Sequence, residues 1–481
     1  MSVMSYQPRT AIVIGASLAG MLSAHVAARR FERVVVVDRG DLPTGMEPRR
    51  SVPQERHVHL LLQRGKRVLE ALFPGFLAEL EQHGAVVADA SRDVRFFHYG
   101  RWKRQFETGI TTHYCSRGLI DHVVRERLRR DPKIQFEPGT RVTGLVRGDD
   151  RAIRGITAET QGASRTFEGD LVIDAGGRGS QASSWLSALG LPKVRVSEVT
   201  SRLGYGTRVY RKRPEYDAAW KVLLVLPRPP RSRRMGVISP IEGGRWMVTT
   251  GGWLGECPGA SEPEFLEFLR GLPDPAIHDV VRGAEPLSDV SIYRIPGGLR
   301  RHYEEIVDWP ARLLVLGDAV CSLNPIYSQG MTVSAMEVEA LANGLDELIA
   351  RGAGPQATRA LQRRIVAQVD APWQMAESED LRFPQVAGPR SWRLLAQHAY
   401  GSLVTQASAV DPTVLRNLLG VIHLIEPPER LLGPSFRARV LASAVRARLT
   451  GRIECSETGG RDPDGSAGGA GGRAPRGIEA A

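Results

Sequence analysis

The chain has 481 residues, enough for two or three domains, and its 42% hydrophobic and 24% charged residues are ordinary for a globular protein. A formal net charge of +11 would suit nucleic acid or an anionic membrane, yet only six of the 64 basic residues are lysines and no nucleic-acid-binding signature accompanies them. The four cysteines, Cys115, Cys257, Cys321 and Cys455, are scattered without CxxC or zinc spacing, and no secretory signal is visible, so a cytoplasmic protein with reduced thiols, no metal and no nucleic-acid partner is expected.

The apolar run Ala11 to Ala28 is as long as a membrane span, but its glycines, Ser17 and His25 suit a strand, a turn and a helix better, so no stable membrane insertion is expected. Ala11–Ile14 reads as a buried strand, Leu18–Arg29 as a helix rich in small residues, and Val34–Val37 as a second buried strand. Such a βαβ unit implies parallel strands. From His57 onward, Val58, Leu61, Leu62, Val68, Leu69 and Leu72 recur at helical spacing until Pro74-Gly75. Arg117–Arg129 reads as another helix and Leu171–Ile173 as a buried strand. Between residues 196 and 295, β-like runs such as Lys221–Leu226 and Arg245–Thr250 alternate with Pro- and Gly-rich turns, as in an inserted, mostly β domain. Leu313–Leu316 predicts a further strand and Thr332–Arg351 a long helix. Residues 354–455 are mainly helical in pattern, and 456–481 form a Gly-rich tail too poor in apolar residues to order itself.

Three stretches carry chemistry. Gly15-Ala-Ser-Leu-Ala-Gly20 follows a strand and opens a helix, so that backbone N–H groups and the helix dipole face a pyrophosphate. Asp38 ends the second strand, where an acid meets a ribose hydroxyl, and Ser17 stands where the middle glycine of the fingerprint is usual. Asp174-Ala-Gly-Gly-Arg-Gly-Ser180 and Gly317-Asp-Ala-Val-Cys-Ser-Leu-Asn-Pro325 are two more strand ends with an acid and a glycine-rich or Pro-containing turn. The second continues to Gln329-Gly330-Met331, where a helix N-terminus can lie against an electron-rich ring. Each alone also reads as a structural turn.

Together these motifs resemble, in order and spacing over about the first 350 residues, the FAD-dependent monooxygenases of the para-hydroxybenzoate hydroxylase type. The resemblance implies an α/β fold: a discontinuous Rossmann-like FAD-binding domain (1–195 and 296–353), a mostly-β substrate domain at 196–295 and a C-terminal helical region at 354–455. It also implies cofactor contacts from Gly15, Ser17, Leu18, Ala19, Gly20, Asp38 and Arg39. Further contacts are implied from Asp174, Gly176, Gly317, Asp318 and Gln329, with Pro325, Gly330 and Met331 beside the flavin ring. Ser328 departs from the pattern, at a position that is often glycine.

Val52–Leu60, Ser116–Asp121, Gly177–Ser180, Pro240–Trp246 and Asn324–Met331 are similar to the epoxidases of polyether ionophore biosynthesis, such as those of the monensin and lasalocid pathways. This second likeness adds cofactor contacts from Arg117 and from Gln54 in a Val52–His59 loop bordering the flavin. By that likeness NADPH or NADH reduces FAD, O2 forms a flavin C4a-hydroperoxide, and alkenes of an apolar polyketide or polyene are epoxidised, with no side-chain nucleophile. Hydroxylation of an aromatic polyketide or phenol is the alternative, and an FAD-dependent isoprenoid reductase is a third. A flavin halogenase would need a W-x-W-x-I-P stretch, which none of the eight tryptophans forms. Trp246 and Trp253 are candidates for the substrate lining or, equally, plain core residues. Arg117 suits a salt bridge as well as a cofactor contact. His57 and His59, two residues apart, cannot share a helix face and read as structural.

Overall fold

Short buried strands separated by helices must pair in parallel, and the computed structural model shows five of them doing so. It describes residues 9–49, 51–148, 150–216 and 220–457. The strand order is Leu313–Val315, Leu171–Asp174, Thr10–Ile14, Arg33–Val37 and Ile134–Glu137, all parallel. The register sets Ile14 beside both Asp174 and Val37, and Asp174 beside Val315. Consequently the three motif-bearing turns leave the sheet at the same carboxyl edge, where open α/β sheets bind ligands.

Both faces of this sheet are covered. The Leu18–Ala28, Arg117–Arg129 and Gly330–Ala350 helices bury Val13, Val34, Val36 and Ile173 on one face. On the other, Ile12, Val35, Val172 and Leu313 pack with Trp309, Val369 and Phe383. Continuous Val/Ile/Leu strands are the sequence mark of this two-sided burial. A three-stranded antiparallel sheet, Thr140–Arg147, Ile153–Thr160 and Ala163–Glu168, adjoins it.

The second large sheet has seven strands in the order Ser291–Ile295, Leu203–Arg211, Arg245–Gly252, Arg234–Ile241, Val222–Val225, Val94–His98 and Arg101–Trp102. Its last two strands lie outside the 196–295 span. Val94–His98 pairs in parallel with Val222–Val225. The sheet is therefore assembled from two separated segments, which a contiguous reading of composition does not reveal. Its outer face packs on the Glu262–Arg270 and Ala276–Val281 helices through Phe265, Leu269 and Ile277.

Two expectations need correction. The helix expected from His57 begins only at Gln63, and His57–Leu62 runs without helix or strand. His57 Nδ1 is hydrogen-bonded to Thr207 Oγ1 at 2.7 Å, and Leu62 N donates to Thr332 Oγ1 at 3.0 Å. Those tertiary bonds, not the apolar spacing, fix the segment. The long C-terminal helix, Pro434–Glu457, includes residues 456 and 457, and the rest of the expected tail lies outside the described residues. The other C-terminal helices are Pro355–Val366, Asp370–Asp380, Trp392–Ala407 and Pro412–Ile422. No described helix is long and apolar enough to cross a membrane.

Candidate functional site

At the carboxyl edge of the parallel sheet a cavity of about 960 Å³ extends from the Gly15 turn to the inner face of the seven-stranded sheet. That volume is at the upper end of the roughly 300–1,000 Å³ typical of ligand sites.

The Gly15 turn shows why glycine is needed. Gly15 has φ +97°, and a Cβ there would stand 2.5 Å from the Ala175 carbonyl oxygen. Its N–H donates to Val37 O at 2.8 Å, tying the turn to the neighbouring strand. Ser17 is the helix N-cap, but its side chain does not cap the helix. Instead its Oγ accepts from Arg49 Nη2 at 3.2 Å and Arg117 Nη2 at 3.3 Å. The first-turn amides of Leu18 and Ala19 thus stand beside the cavity with two guanidinium groups next to them, an anion-binding arrangement.

Arg49 is the residue the sequence reading missed here. Its side chain is 2% exposed, bonded through Nε to Glu55 Oε1 at 2.7 Å and through Nη1 to Ala16 O at 3.1 Å, with Asp121 at 3.7 Å. Burial opposes its charge, but Asp121 and Glu55 outweigh burial and hold it protonated. Arg117 forms the salt bridge expected for it and faces the cavity. Its Nε donates to Asp121 Oδ1 at 2.9 Å, one turn along the helix, while the residue also lines the cavity. No periodic signal marks Arg49, which sits in a loop.

The strand-end acids differ in how they are used. Asp38 lines the cavity and accepts from Ala16 N at 2.7 Å and Gly40 N at 2.8 Å, one bond per oxygen, so that each oxygen has capacity for a further donor. Asp174 accepts from Gly176 N at 2.8 Å and Ser180 Oγ at 2.5 Å, so its carboxylate chiefly shapes its own turn; burial raises its pKa against those bonds. Asp318 faces the cavity with Arg117 and Arg178 nearby; burial pushes its carboxyl up, and the two arginines oppose that. Gly317, with φ +67°, lets this turn approach Ala19, whose Cβ would be 2.8 Å from a side chain at 317. The Gly317 N–H donates to buried Glu337 Oε2 at 2.8 Å, and burial pushes the Glu337 carboxyl up to about 8.

Most expected site residues meet in this cavity: Gly15, Ser17, Leu18 and Ala19; Asp38, Arg39, Gln54 and Arg117; and Asp174, Gly176, Asp318, Pro325, Gly330 and Met331. Three stand behind it. Gly20 packs against Gly15, Gly317 lies under the turn, and Gln329 is buried. Ser328 lines the cavity with φ +55°, a left-handed conformation that glycine adopts at less cost.

Neither tryptophan lines the cavity. Trp246 faces the opposite side of its strand and stacks on Trp220 at 5.8 Å between ring centroids. Trp253 is buried and donates Nε1–H to Asp380 at 2.8 Å. The sheet-side wall is made instead by Tyr205, Met235, Val237, Thr249 and Tyr293. His57 Nδ1 bonds Thr207, which bonds Thr249 at 2.6 Å, and Gln54 Nε2 donates to Tyr293 OH at 3.0 Å. Burial, with His59 and Arg56, pushes His57 down to about 3, so it is neutral. His59 donates Nδ1–H to His57 O at 2.9 Å, and burial holds it at about 4. Both histidines line the cavity in this neutral, hydrogen-bonded state, and no group of three or more His, Cys, Asp or Glu side chains placed to hold a metal occurs among the described residues.

A glycine turn at a helix N-terminus, acids at neighbouring strand ends and a long cavity fit a dinucleotide with a ring system attached. Comparison with known proteins agrees. Residues 11–184 match the family described as FAD dependent oxidoreductase. The chain is 27% identical over 463 residues to Protein Rv3254 of Mycobacterium tuberculosis, covering 91% of this chain and 94% of that one. It is 27% identical over 380 residues to kynurenine 3-monooxygenase of Xanthomonas euvesicatoria, covering 70% and 72%. The crystal structure of p-nitrophenol 4-monooxygenase PnpA from Pseudomonas putida superposes with a TM-score of 0.64 at 17% identity, covering 87% of this chain and 99% of that one. The chain therefore carries a mixed α/β fold shared with FAD-dependent monooxygenases of known structure, with a helical C-terminal region, and its residues 11–184 are similar to the FAD dependent oxidoreductase family.

Proposed function

We propose that the chain is an FAD-dependent monooxygenase that uses NADPH or NADH and O2 to oxygenate a small, largely apolar molecule. The observation that carries this reading is the continuity of one cavity from the Gly15 turn to the Tyr205–Tyr293 wall, so that a cofactor at the strand ends meets a substrate against the sheet. When bound, FAD supplies the redox chemistry: two electrons from the nicotinamide reduce O2, one oxygen atom goes to the substrate and the other leaves as water.

The protein's part is to bind, orient and exclude. The first-turn amides with Arg49 and Arg117 would hold the pyrophosphate, Asp38 the adenosine ribose and Asp318 the ribityl chain. Pro325, Gly330 and Met331 line the cavity and would stand beside the flavin ring. Met235 and Val237 give an apolar surface that keeps water from the reacting atoms. Neutral His57, locked to Thr207, fixes the Thr249 hydroxyl on the same wall.

Epoxidation of alkenes in a polyketide or polyene is the reading supported by the sequence likeness to polyether epoxidases. Hydroxylation of an aromatic ring has its own support. The hydroxyls of Tyr205, Tyr293 and Thr249 can bond a phenol, and two of the proteins this chain resembles are named for kynurenine and p-nitrophenol.

Incubating the purified protein with FAD, NADPH and labelled O2, in parallel with a linear polyene and a set of phenols, tests both. One labelled oxygen per alkene supports epoxidation, and label only in the phenols moves the assignment to hydroxylation. Nicotinamide oxidation without label in any substrate contradicts monooxygenation.

A further inference from the structure

The C-terminal helices lie beyond the segment that matches the oxidoreductase family, yet one of their carboxylates holds the turn at the cavity's ring side. Asp380 ends the Asp370–Asp380 helix and is 1% exposed. Its Oδ1 accepts three hydrogen bonds: from Asn324 Nδ2 at 2.8 Å, Tyr327 OH at 2.7 Å and Trp253 Nε1 at 2.8 Å. Asn324 and Tyr327 bracket Pro325 and Ile326, both of which line the cavity. Trp253 follows the Arg245–Gly252 strand of the large sheet. One oxygen atom therefore ties together the cavity turn, the substrate-side sheet and the C-terminal helices.

The turn needs such a tie. Asn324 Oδ1 accepts from Ile326 N at 3.0 Å, so the Asn324 amide is engaged at both ends, inward to the turn and outward to Asp380. Directly after Tyr327, Ser328 adopts φ +55°, a conformation costly for a residue with a Cβ. Such a conformation persists only where its surroundings over-determine it. No ion pair engages Asp380 among the described residues, and the three donors to its Oδ1 are neutral.

We propose that Asp380 is a positioning residue that fixes where Pro325 and Ile326 stand against the bound flavin. It does not itself line the cavity. The inference rests on the reading that the cavity holds FAD. Because all three donors converge on one oxygen, an amide at this position can keep them, whereas an aliphatic side chain leaves three buried donors unpaired.

The test compares the wild type with Asp380→Asn and Asp380→Leu. The readouts are the FAD dissociation constant of the stripped protein, the visible spectrum and midpoint potential of the bound flavin, and the thermal unfolding of the FAD-free protein. Asp380→Leu is expected to weaken FAD binding about tenfold and to shift the spectrum and potential, while Asp380→Asn stays within about threefold of the wild type. Should Asp380→Leu fail to fold, Tyr327→Phe removes a single donor and takes its place, with a smaller shift in the same direction. A folded Asp380→Leu or Tyr327→Phe protein with wild-type affinity and flavin spectrum would overturn the proposal, as would an Asn variant as impaired as the Leu variant. A wild-type protein that binds no FAD would overturn the FAD reading instead, and is distinct from either result.

Discussion

The strand-end wall of the cavity and the sheet-side wall are built by different means. At the strand ends the wall is chiefly backbone, with first-turn amides, a glycine at φ +97° and acids that bond main-chain N–H groups, and it is backed by a buried side-chain cluster of Arg49, Glu55, Arg117 and Asp121. Across the cavity the surface is side chains from an antiparallel sheet, with Tyr205 paired to Tyr293 and Thr207 to Thr249. A backbone cradle dictates which residue types are allowed, because only glycine or a short acid fits its geometry. A side-chain wall tolerates many solutions, so it can change substrate without disturbing the cofactor.

That contrast predicts a gradient of effects. Removing a buried charge from the strand-end cluster should be the most damaging: Arg49→Ala leaves Glu55 buried without its cation, while Asp121 keeps Arg117, and should cost about 3–5 kcal/mol in urea unfolding. Asp318→Ala should leave the fold intact but weaken FAD retention by about tenfold or more, read from the dissociation constant; full flavin occupancy in that variant would remove the Gly317-Asp318 motif from the cofactor site.

A third effect depends on pH. The folded Glu337 carboxyl titrates near 8, above its ordinary 4.5. Its contribution to stability is thus complete below the unfolded value and is lost as pH rises through the folded one. Between about pH 5 and about pH 9 the wild type should lose unfolding temperature more steeply than Glu337→Gln, which keeps an acceptor for the Gly317 N–H. Parallel pH profiles would show that Glu337 does not titrate in this window.

The smallest effect is expected on the sheet side. Tyr293→Phe should change stability by less than about 1.5 kcal/mol and leave FAD affinity alone, while raising the KM for a hydroxyl-bearing substrate. If Tyr293→Phe released FAD as readily as Asp318→Ala, the two walls would not be separable in function.

The same contrast governs what could be read from the sequence. The strands at Ala11, Val34, Leu171 and Leu313, and the acids and glycines at their ends, were legible because two-sided burial and tight turns restrict the residues allowed there. Arg49 was not, since its role depends on Glu55, Asp121 and Ser17 meeting in space. His57–Leu62 has helical spacing, but bonds to Thr207 and Thr332 hold it out of a helix. Trp246 and Thr249 lie an odd number of residues apart on one strand, so they face opposite sides of the sheet. Thr249 reaches the cavity and Trp246 the core behind it. Alternation along Leu203–Arg211 carried the same signal for Tyr205 and Thr207, but which face met the cavity shows only in contacts between residues far apart in sequence, such as His57 with Thr207 and Gln54 with Tyr293.

The central claim, that the strand-end wall is an FAD site, is tested most directly by titrating FAD into the stripped protein and following the flavin absorbance and fluorescence. Saturation at a single FAD per chain, with ADP competing for the same site, is the predicted result. An absence of saturable binding, or binding that ADP does not affect, would contradict it.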